Sequence, residues 1–495
     1  MVALEAPKEF RASHPTASTR GQLASDAPQL QGLAEKHPEL LIYTLSAEGY
    51  EDVRSFFSAS MVRQPLAVIR PRTEAEVSAV VQEVRGQGIP FGIRSGGHDL
   101  TAAQAQGRDG VMVDMRGMDG VIVAEDRKSA RVGGGIPGIK LSRFLQRHGL
   151  LTPHGWCPTV GMAGWALGGG YGYSSAFYGL GVDQVLGARV VLANGEVVDT
   201  DDDHADLLWA LRGAGNGNFG VVVELRVKLY PQTGFLAGWL GFPSEQAGDV
   251  LAGYGTFEKG EEVPVNFTGE VSHMTLPGVG PVVAWLFAWT SENQDIDDGW
   301  AFLDKMKALG TPVLNTVAAV SAAGSVGVNS HAVDDYTFFN TIPSPTNVHW
   351  RPRLRTFECF TPEVASTFGK HPPPAPTCGT VIHSAHGRAL DENAGACYPL
   401  RARHHIANPS AGVADATAQA AEFDEYKRWV DGLVDDLSRQ GLALPYGHRN
   451  LGPEEGDMDW VATYGEETLA RLKEVKGKFD PGNLFKTGYP RLDLL

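Results

Sequence analysis

His98 ends the run Arg94-Ser95-Gly96-Gly97-His98, and Cys157 sits in Gly155-Trp156-Cys157-Pro158-Thr159-Val160-Gly161. A lone histidine is usually structural, and a lone cysteine is usually an inert small hydrophobe. Here the glycines let backbone approach a ligand closely. A cysteine held in a turn between glycines is placed to react or to be bound. Around it, the stretch from Ile139 to Val182 carries no carboxylate, in a chain of net charge −16. Lys140, Arg143 and Arg147 fall in that stretch, with glycines at 155, 161, 164, 168, 169, 170 and 172. Consecutive backbone N–H groups form anion-binding nests, so a phosphate-bearing ligand is expected here. Trp165, Tyr171 and Tyr173 make the stretch too aromatic for a linker.

Gly133-Gly134-Gly135-Ile136-Pro137-Gly138 has the GxGxxG spacing of a dinucleotide turn. The acidic residue expected about 20 positions later, which would bind a ribose, is missing. A nicotinamide site is therefore not expected.

Several elements must position these residues. Segment 66–69 reads as a strand. Thr73, with Glu76 three residues on, reads as a capping box for a helix whose Val77, Val80, Val81 and Val84 share a face. Strand 91–94 runs into the His98 turn. Further strands are expected at 111–114, 121–124, 130–132, 185–192, 196–199 and 221–229, with a helix at 139–147. From about 236 the texture changes. Trp239, Trp285 and Trp289 fall on strands, with core packing or stacking on a planar ligand as their roles, and helices are expected near 296–308 and 416–438. A last helix at 466–476 precedes Asp480-Pro481-Gly482-Asn483. Residues 1–50 read as loosely attached, with order beginning near Arg63.

Composition narrows the function classes. With 495 residues, 43% hydrophobic and 20% charged, the chain reads as a soluble globular protein of two or three units. Its acidity disfavours nucleic acid or an anionic membrane as partner. No apolar run reaches the roughly 18 residues of a membrane span, and the N-terminus lacks the apolar core of a secretory signal. A cytoplasmic monomer or homodimer is expected. The four cysteines show neither CxxC nor zinc spacing, and no metal is expected.

Taken together, these pieces resemble the berberine-bridge-enzyme-like branch of the vanillyl-alcohol-oxidase (PCMH-type) flavoproteins. The resemblance rests on Arg94-Ser95-Gly96-Gly97-His98, Cys157-Pro158-Thr159-Val160-Gly161, Gly168-Gly169-Gly170-Tyr171-Gly172 and Tyr178-Gly179-Leu180. It continues through Gly213-Ala214-Gly215, Asn218-Phe219-Gly220 and the ending Lys478-Phe479-Asp480-Pro481 with Asn483-Leu484-Phe485. It implies an α+β fold: a PCMH-type FAD-binding domain of two α/β subdomains, with an inserted substrate domain of antiparallel sheet flanked by helices. The corresponding division is an extension over 1–62, the FAD-binding domain over 63–235, the substrate domain over 236–445 and a completing segment over 446–495. It also implies FAD bonded through His98 to the 8α-carbon of the ring and through Cys157 to C6. Further cofactor contacts are implied at Arg94, Ser95, Gly96, Gly97, Asp99, Thr159, Val160, Gly161, Gly164, Gly168, Gly169, Gly170, Gly172, Val223 and Asn483. In similar proteins the position of Val160 lies over the oxygen-reacting face, and a small residue there suits an oxidase using O2.

The resemblance places Tyr171 in the active site. It breaks at the usual catalytic tyrosine of a Tyr-x-Asn motif, where Tyr446-Gly447-His448-Arg449-Asn450 puts His448. A histidine is the better base near neutral pH. On a strand Tyr446 would share its face. Beyond Tyr398-Pro399-Leu400-Arg401, either His404 or His405 would reach over the ring, and His383 and His386 are further candidates. The expected activity is oxidation of a small natural-product alcohol, amine or activated C–H by hydride transfer to flavin. The alternatives are a carbohydrate oxidase forming a lactone and a redox-neutral isomerase or cyclase.

Overall fold

The computed structural model describes residues 15–61, 63–100, 104–200, 203–292, 295–320, 348–451 and 459–492. Thr73 caps the helix Glu74–Gln87, its hydroxyl accepting from the N–H of Glu76 at 3.2 Å. The Glu76 carboxylate reaches past the cap to accept from the N–H of Arg72 at 2.6 Å. The valine face of this helix is fully buried. It packs into one core with Ile69, Val111 and Val113 from a four-stranded sheet and Val191, Val221 and Val223 from a five-stranded one.

The four-stranded sheet has the order Leu41–Tyr43, Ala67–Arg70, Val111–Asp114, Phe91–Arg94. The five-stranded sheet is antiparallel, in the order Val121–Val123, Ser129–Gly133, Val221–Lys228, Val185–Val191, Val197–Asp199. A nine-stranded antiparallel sheet follows in the chain. Its central strands are Gly234–Pro243, Gly280–Ser291, Phe267–Leu276, Gly379–Ala385 and His404–Val413. Helices Ala247–Lys259, Asp297–Lys307, Pro362–Lys370 and Ala420–Arg439 cover one face, burying Tyr254, Phe302, Phe368 and Leu433 against Phe267, Trp285 and Phe357.

The chain then returns to its first half. From helix Glu466–Phe479, the Lys476 ammonium donates to the carbonyls of Asn218 (2.6 Å) and Phe485 (2.7 Å) and to Asp480 Oδ2 (2.6 Å). The Phe485 ring stands edge-on to Phe91 at 5.7 Å. Among the described residues no helix is long and apolar enough to cross a membrane.

One expectation is corrected. The segment before Arg63 is not a loose attachment where it is described. It forms helices Arg20–Asp26 and Gln31–Lys36 and a strand paired with Ala67–Arg70, and it buries Leu23, Leu30, Tyr43 and Tyr50. Elements this short carry too little apolar periodicity to read from sequence. Of the two roles open to Trp239, Trp285 and Trp289, the structure supports core packing: all three are buried, and none lines the cavity described below.

Candidate active site

Strand Phe91–Arg94 delivers a turn that meets a second turn, 157–161, backbone against backbone. A Cβ on Gly96 would lie 2.2 Å from the Gly161 nitrogen, and a Cβ on Gly161 would lie 2.4 Å from the Gly96 nitrogen. Ser95 Oγ donates to the Gly134 carbonyl at 2.8 Å and ties the pair to a third loop. His98 Nε2 and Thr159 Oγ1 are 2.7 Å apart. The imidazole stacks on Phe57 at 4.6 Å. One edge of His98 faces the cavity, yet enough protein surrounds it that burial, helped by Arg94, pushes its imidazolium down to about 4. Arg94 is anchored through Nη1 to the Val53 carbonyl at 2.7 Å and lies over Phe56.

These turns border a cavity of about 430 Å³, within the size of small-molecule sites. His98, Cys157, Val160, Tyr171 and His448 all line it. So do Arg94, Ser95, Gly96, Gly97, Asp99, Gly161 and Gly164. Its far side comes from the large sheet, through Glu270, Ser272, Met274, Val381, His383 and Asn408. Cys157 is half-buried at the cavity wall, and among the described residues it forms no disulfide.

Beside the cavity runs a hydrogen-bonded row. His404 Nδ1 lies 2.7 Å from the Ala402 carbonyl, which can only accept, so Nδ1 carries the proton and Nε2 is a lone pair. The Tyr171 hydroxyl therefore donates to His404 Nε2 at 2.7 Å. Tyr398 stands 3.1 Å from Tyr171, and His448 Nδ1 stands 3.1 Å from Tyr398. With Tyr398 donating to Tyr171, His448 Nδ1–H donates to Tyr398 and Nε2 of His448 is left unprotonated. Burial holds His448 well below the usual imidazole range, with His383 and His404 nearby adding to the effect. Burial lowers His404 to about 4 and lifts Tyr171 and Tyr398 well above 10. At neutral pH the row is uncharged.

Several expected residues stand elsewhere. His405 lies on the opposite face of its strand from His404. Its Nε2 is 2.5 Å from Glu258 Oε1, and its ring stacks on Phe357 under the helix layer. Tyr446 does not line the cavity but stands beside His404 at 6.3 Å, because 445–448 is irregular rather than a strand. His386 is likewise buried outside the lining. Gly168, Gly169, Gly170 and Gly172 do not border the cavity either. They make room for close packing: at Gly169 (φ +127°) a Cβ would lie 2.6 Å from the Tyr398 ring and 2.9 Å from His448. Thr159 meets the site only through His98, and Lys140 pairs with Asp119 rather than facing it. Val223 and Asn483 lie outside the lining: Val223 is core, its carbonyl accepting from the N–H of Gly134, and Asn483 holds a left-handed turn (φ 47°).

Sequence reasoning missed others. Phe57, from the N-terminal extension, backs His98. Gly134, in the rejected GxGxxG run, borders the cavity, as do Glu270 and Trp350. Asn450 accepts from Asn216 Nδ2 at 2.9 Å and donates to the Gly164 carbonyl at 3.0 Å, fixing the His448 loop to the glycine-rich wall. Among the described residues no group of three or more His, Cys, Asp or Glu could hold a metal ion.

The residues present fit FAD. One wall is backbone-lined, with Asp99 its sole carboxylate among the described residues, which suits phosphates. Trp156, Met274 and Val160 offer apolar surface to a flat ring, and one histidine and one cysteine stand within the same chamber.

Comparison with known proteins agrees. Residues 65–201 match the family described as FAD binding domain, and residues 442–488 match "Berberine and berberine like". The FAD-linked oxidoreductase aurO of Gibberella zeae is 33% identical, over 94% of this chain and 88% of its own. (R)-6-hydroxynicotine oxidase of Paenarthrobacter nicotinovorans is 27% identical, over 89% of this chain and 94% of its own. The crystal structure of 6-hydroxy-D-nicotine oxidase from Arthrobacter nicotinovorans superposes with a TM-score of 0.77 at 22% identity, covering 92% of this chain and 98% of that one. Such a likeness establishes the α+β PCMH-type fold, and the aurO relationship establishes the family. The chain is a member of the berberine-bridge-like FAD-linked oxidoreductases.

Proposed function

We propose that this enzyme is an oxidase that carries FAD on two covalent bonds, one to His98 and one to Cys157. It removes a hydride from a small-molecule alcohol, amine or activated C–H of a natural-product pathway. The observation that carries the reading is that His98, Cys157, Tyr171 and His448 line one cavity. Held at His98 and Cys157, FAD would supply the two-electron acceptor for that hydride, with O2 as the terminal oxidant and hydrogen peroxide as its product.

The protein's own residues do the rest. His448 Nε2, neutral and held by Tyr398, accepts the substrate O–H or N–H proton. That proton's charge moves along the row: His448 Nδ1–H to Tyr398, Tyr398 to Tyr171, Tyr171 to His404. His404 then holds both ring protons, one of them on the Ala402 carbonyl. Val160, small and at the cavity edge, leaves room for O2. In this reading residues 63–235 and 446–495 hold the cofactor, and 236–445 supply the substrate wall.

Anaerobic mixing of the purified yellow protein with candidate substrates tests it. Bleaching of the flavin absorbance by a compound establishes oxidation. The row can also return its proton, which favours one second reading, a redox-neutral isomerase. Conversion of a compound while the flavin stays oxidised would put that reading first.

A further inference from the structure

On strand Phe267–Leu276, Glu270, Ser272 and Met274 alternate toward the cavity, and on Gly379–Ala385, Val381 and His383 do. The pairing of Ser272 with Val381 sets His383 beside Glu270. Glu270 is buried, at 4% exposure, and His383 is half-buried, at 12%. His383 Nδ1 lies 2.6 Å from Glu270 Oε2, but off the line a ring N–H would need, so neither atom makes a hydrogen bond among the described residues. Ser272 Oγ and Trp350 Nε1 share that condition. These four buried polar atoms belong to residues of one cavity wall. A buried donor or acceptor left without a partner costs roughly 1–3 kcal/mol, and more when charged. Facing a cavity, such groups are completed by what enters it.

The chemistry of the wall narrows what that is. Among the described lining residues there is no lysine, and the one arginine, Arg94, donates to the Val53 carbonyl. Among the described residues, His383 is the one basic side chain within ion-pair distance of Glu270. On the same sheet, Trp350 and Val381 offer flat and apolar surface to the cavity. A carboxylate set in such a wall selects a cation borne on an apolar body, and indole faces add to the preference.

We propose that Glu270, with His383 at its flank, is the receptor for a protonated amine on a flat, apolar substrate, and that Ser272 Oγ completes its hydrogen bonds. The proposal rests on the cavity being the substrate site of the oxidase described above.

The test uses the flavin-loaded enzyme under anaerobic conditions. 2-(2-Naphthyl)ethylamine, the matching alcohol 2-(2-naphthyl)ethanol and the matching acid 3-(2-naphthyl)propanoate are titrated, with binding read from flavin absorbance and tryptophan fluorescence. The amine should bind at least about 10-fold more tightly than the alcohol, as a charge-assisted hydrogen bond requires, with the acid weakest. Glu270→Gln should bring the amine to the alcohol's affinity and leave the alcohol unchanged. Equal binding of amine and alcohol, no binding of the amine, or a preference that survives Glu270→Gln overturns the proposal. Should that variant not fold, His383→Asn removes the competing partner and should tighten amine binding several-fold; unchanged or weaker binding overturns it. Turnover is scored separately. A Glu270-dependent amine preference in an enzyme whose flavin no substrate bleaches leaves the recognition standing and removes the oxidase.

Discussion

The Tyr171 hydroxyl donates to His404 across 2.7 Å, and His404 is itself locked as a donor to the Ala402 carbonyl. That one fixed tautomer sets the direction of the row through Tyr398 to His448. It is why His448 presents a lone pair rather than a proton at Nε2.

His448→Phe is expected to slow flavin reduction by about 10²–10⁴-fold, the contribution typical of a positioned base, while flavin content stays the same. Rapid-mixing absorbance under anaerobic conditions measures it. An unchanged reduction rate removes His448 from the mechanism.

Because His448 titrates well below 6.5, it is already a free base at neutral pH. The reduction rate should be flat from pH 6.5 to 9 and fall only in acid. A tyrosine base would instead give a rate climbing toward pH 10. Tyr171→Phe breaks the row between Tyr398 and His404 and should lower the plateau by about 10-fold without emptying the site.

His98→Ala and Cys157→Ala should each leave the flavin bound through the other residue, and the double variant should release it on acid precipitation. Absorbance of pellet and supernatant reads the result. A double variant whose pellet stays yellow removes both assignments.

Gly96→Ala forces a methyl to within 2.2 Å of the Gly161 nitrogen. The two turns must part, at a cost of roughly 1–3 kcal/mol, and flavin incorporation should drop with thermal stability. Gly120→Ala is the control, since open space surrounds a Cβ there and the residue lies outside the cavity lining.

Burial holds His154, His273, His386, His404 and His448 neutral in the fold, with pKa values lowered to about 4 or well below 6.5. Between those values and 6.5 the unfolded chain binds more protons than the native one, so stability must fall as pH drops. Melting temperature should decline from pH 6.5 toward pH 4. A profile flat over that range would mean that these rings are solvated.

How much of this was legible follows from the kind of signal each residue gives. The strand before His98 and the helix capped by Thr73 were readable because apolar periodicity and a cap hydroxyl are local facts. His98, Cys157 and Tyr171 were readable from local motifs. Choosing between His404 and His405 was not. The two differ by one residue, and only the pairing of Ala385 with His404 in the finished sheet decides which faces inward. Tyr446 was not legible for the opposite reason: a period of two orients side chains only on a strand, and 445–448 is irregular. Glu270 gave no signal, since a glutamate on a strand reads as solvent-facing until the fold sets it in a cavity wall. Gly168 and Gly169 also make room for Asn450, Tyr398 and His448, a packing role that a glycine run does not announce in sequence.

The clasp of Lys476 on Asn218 and Phe485, with Phe485 resting on Phe91, has a consequence for biogenesis. During translation the first half of the chain leaves the ribosome hundreds of residues before the segment that closes it. Until synthesis passes Phe485, the pocket for that ring and the carbonyl of Asn218 stand open to solvent and to chaperones. A nascent chain stalled before Lys476 should therefore remain protease-sensitive in its N-terminal half, however complete the large sheet already is.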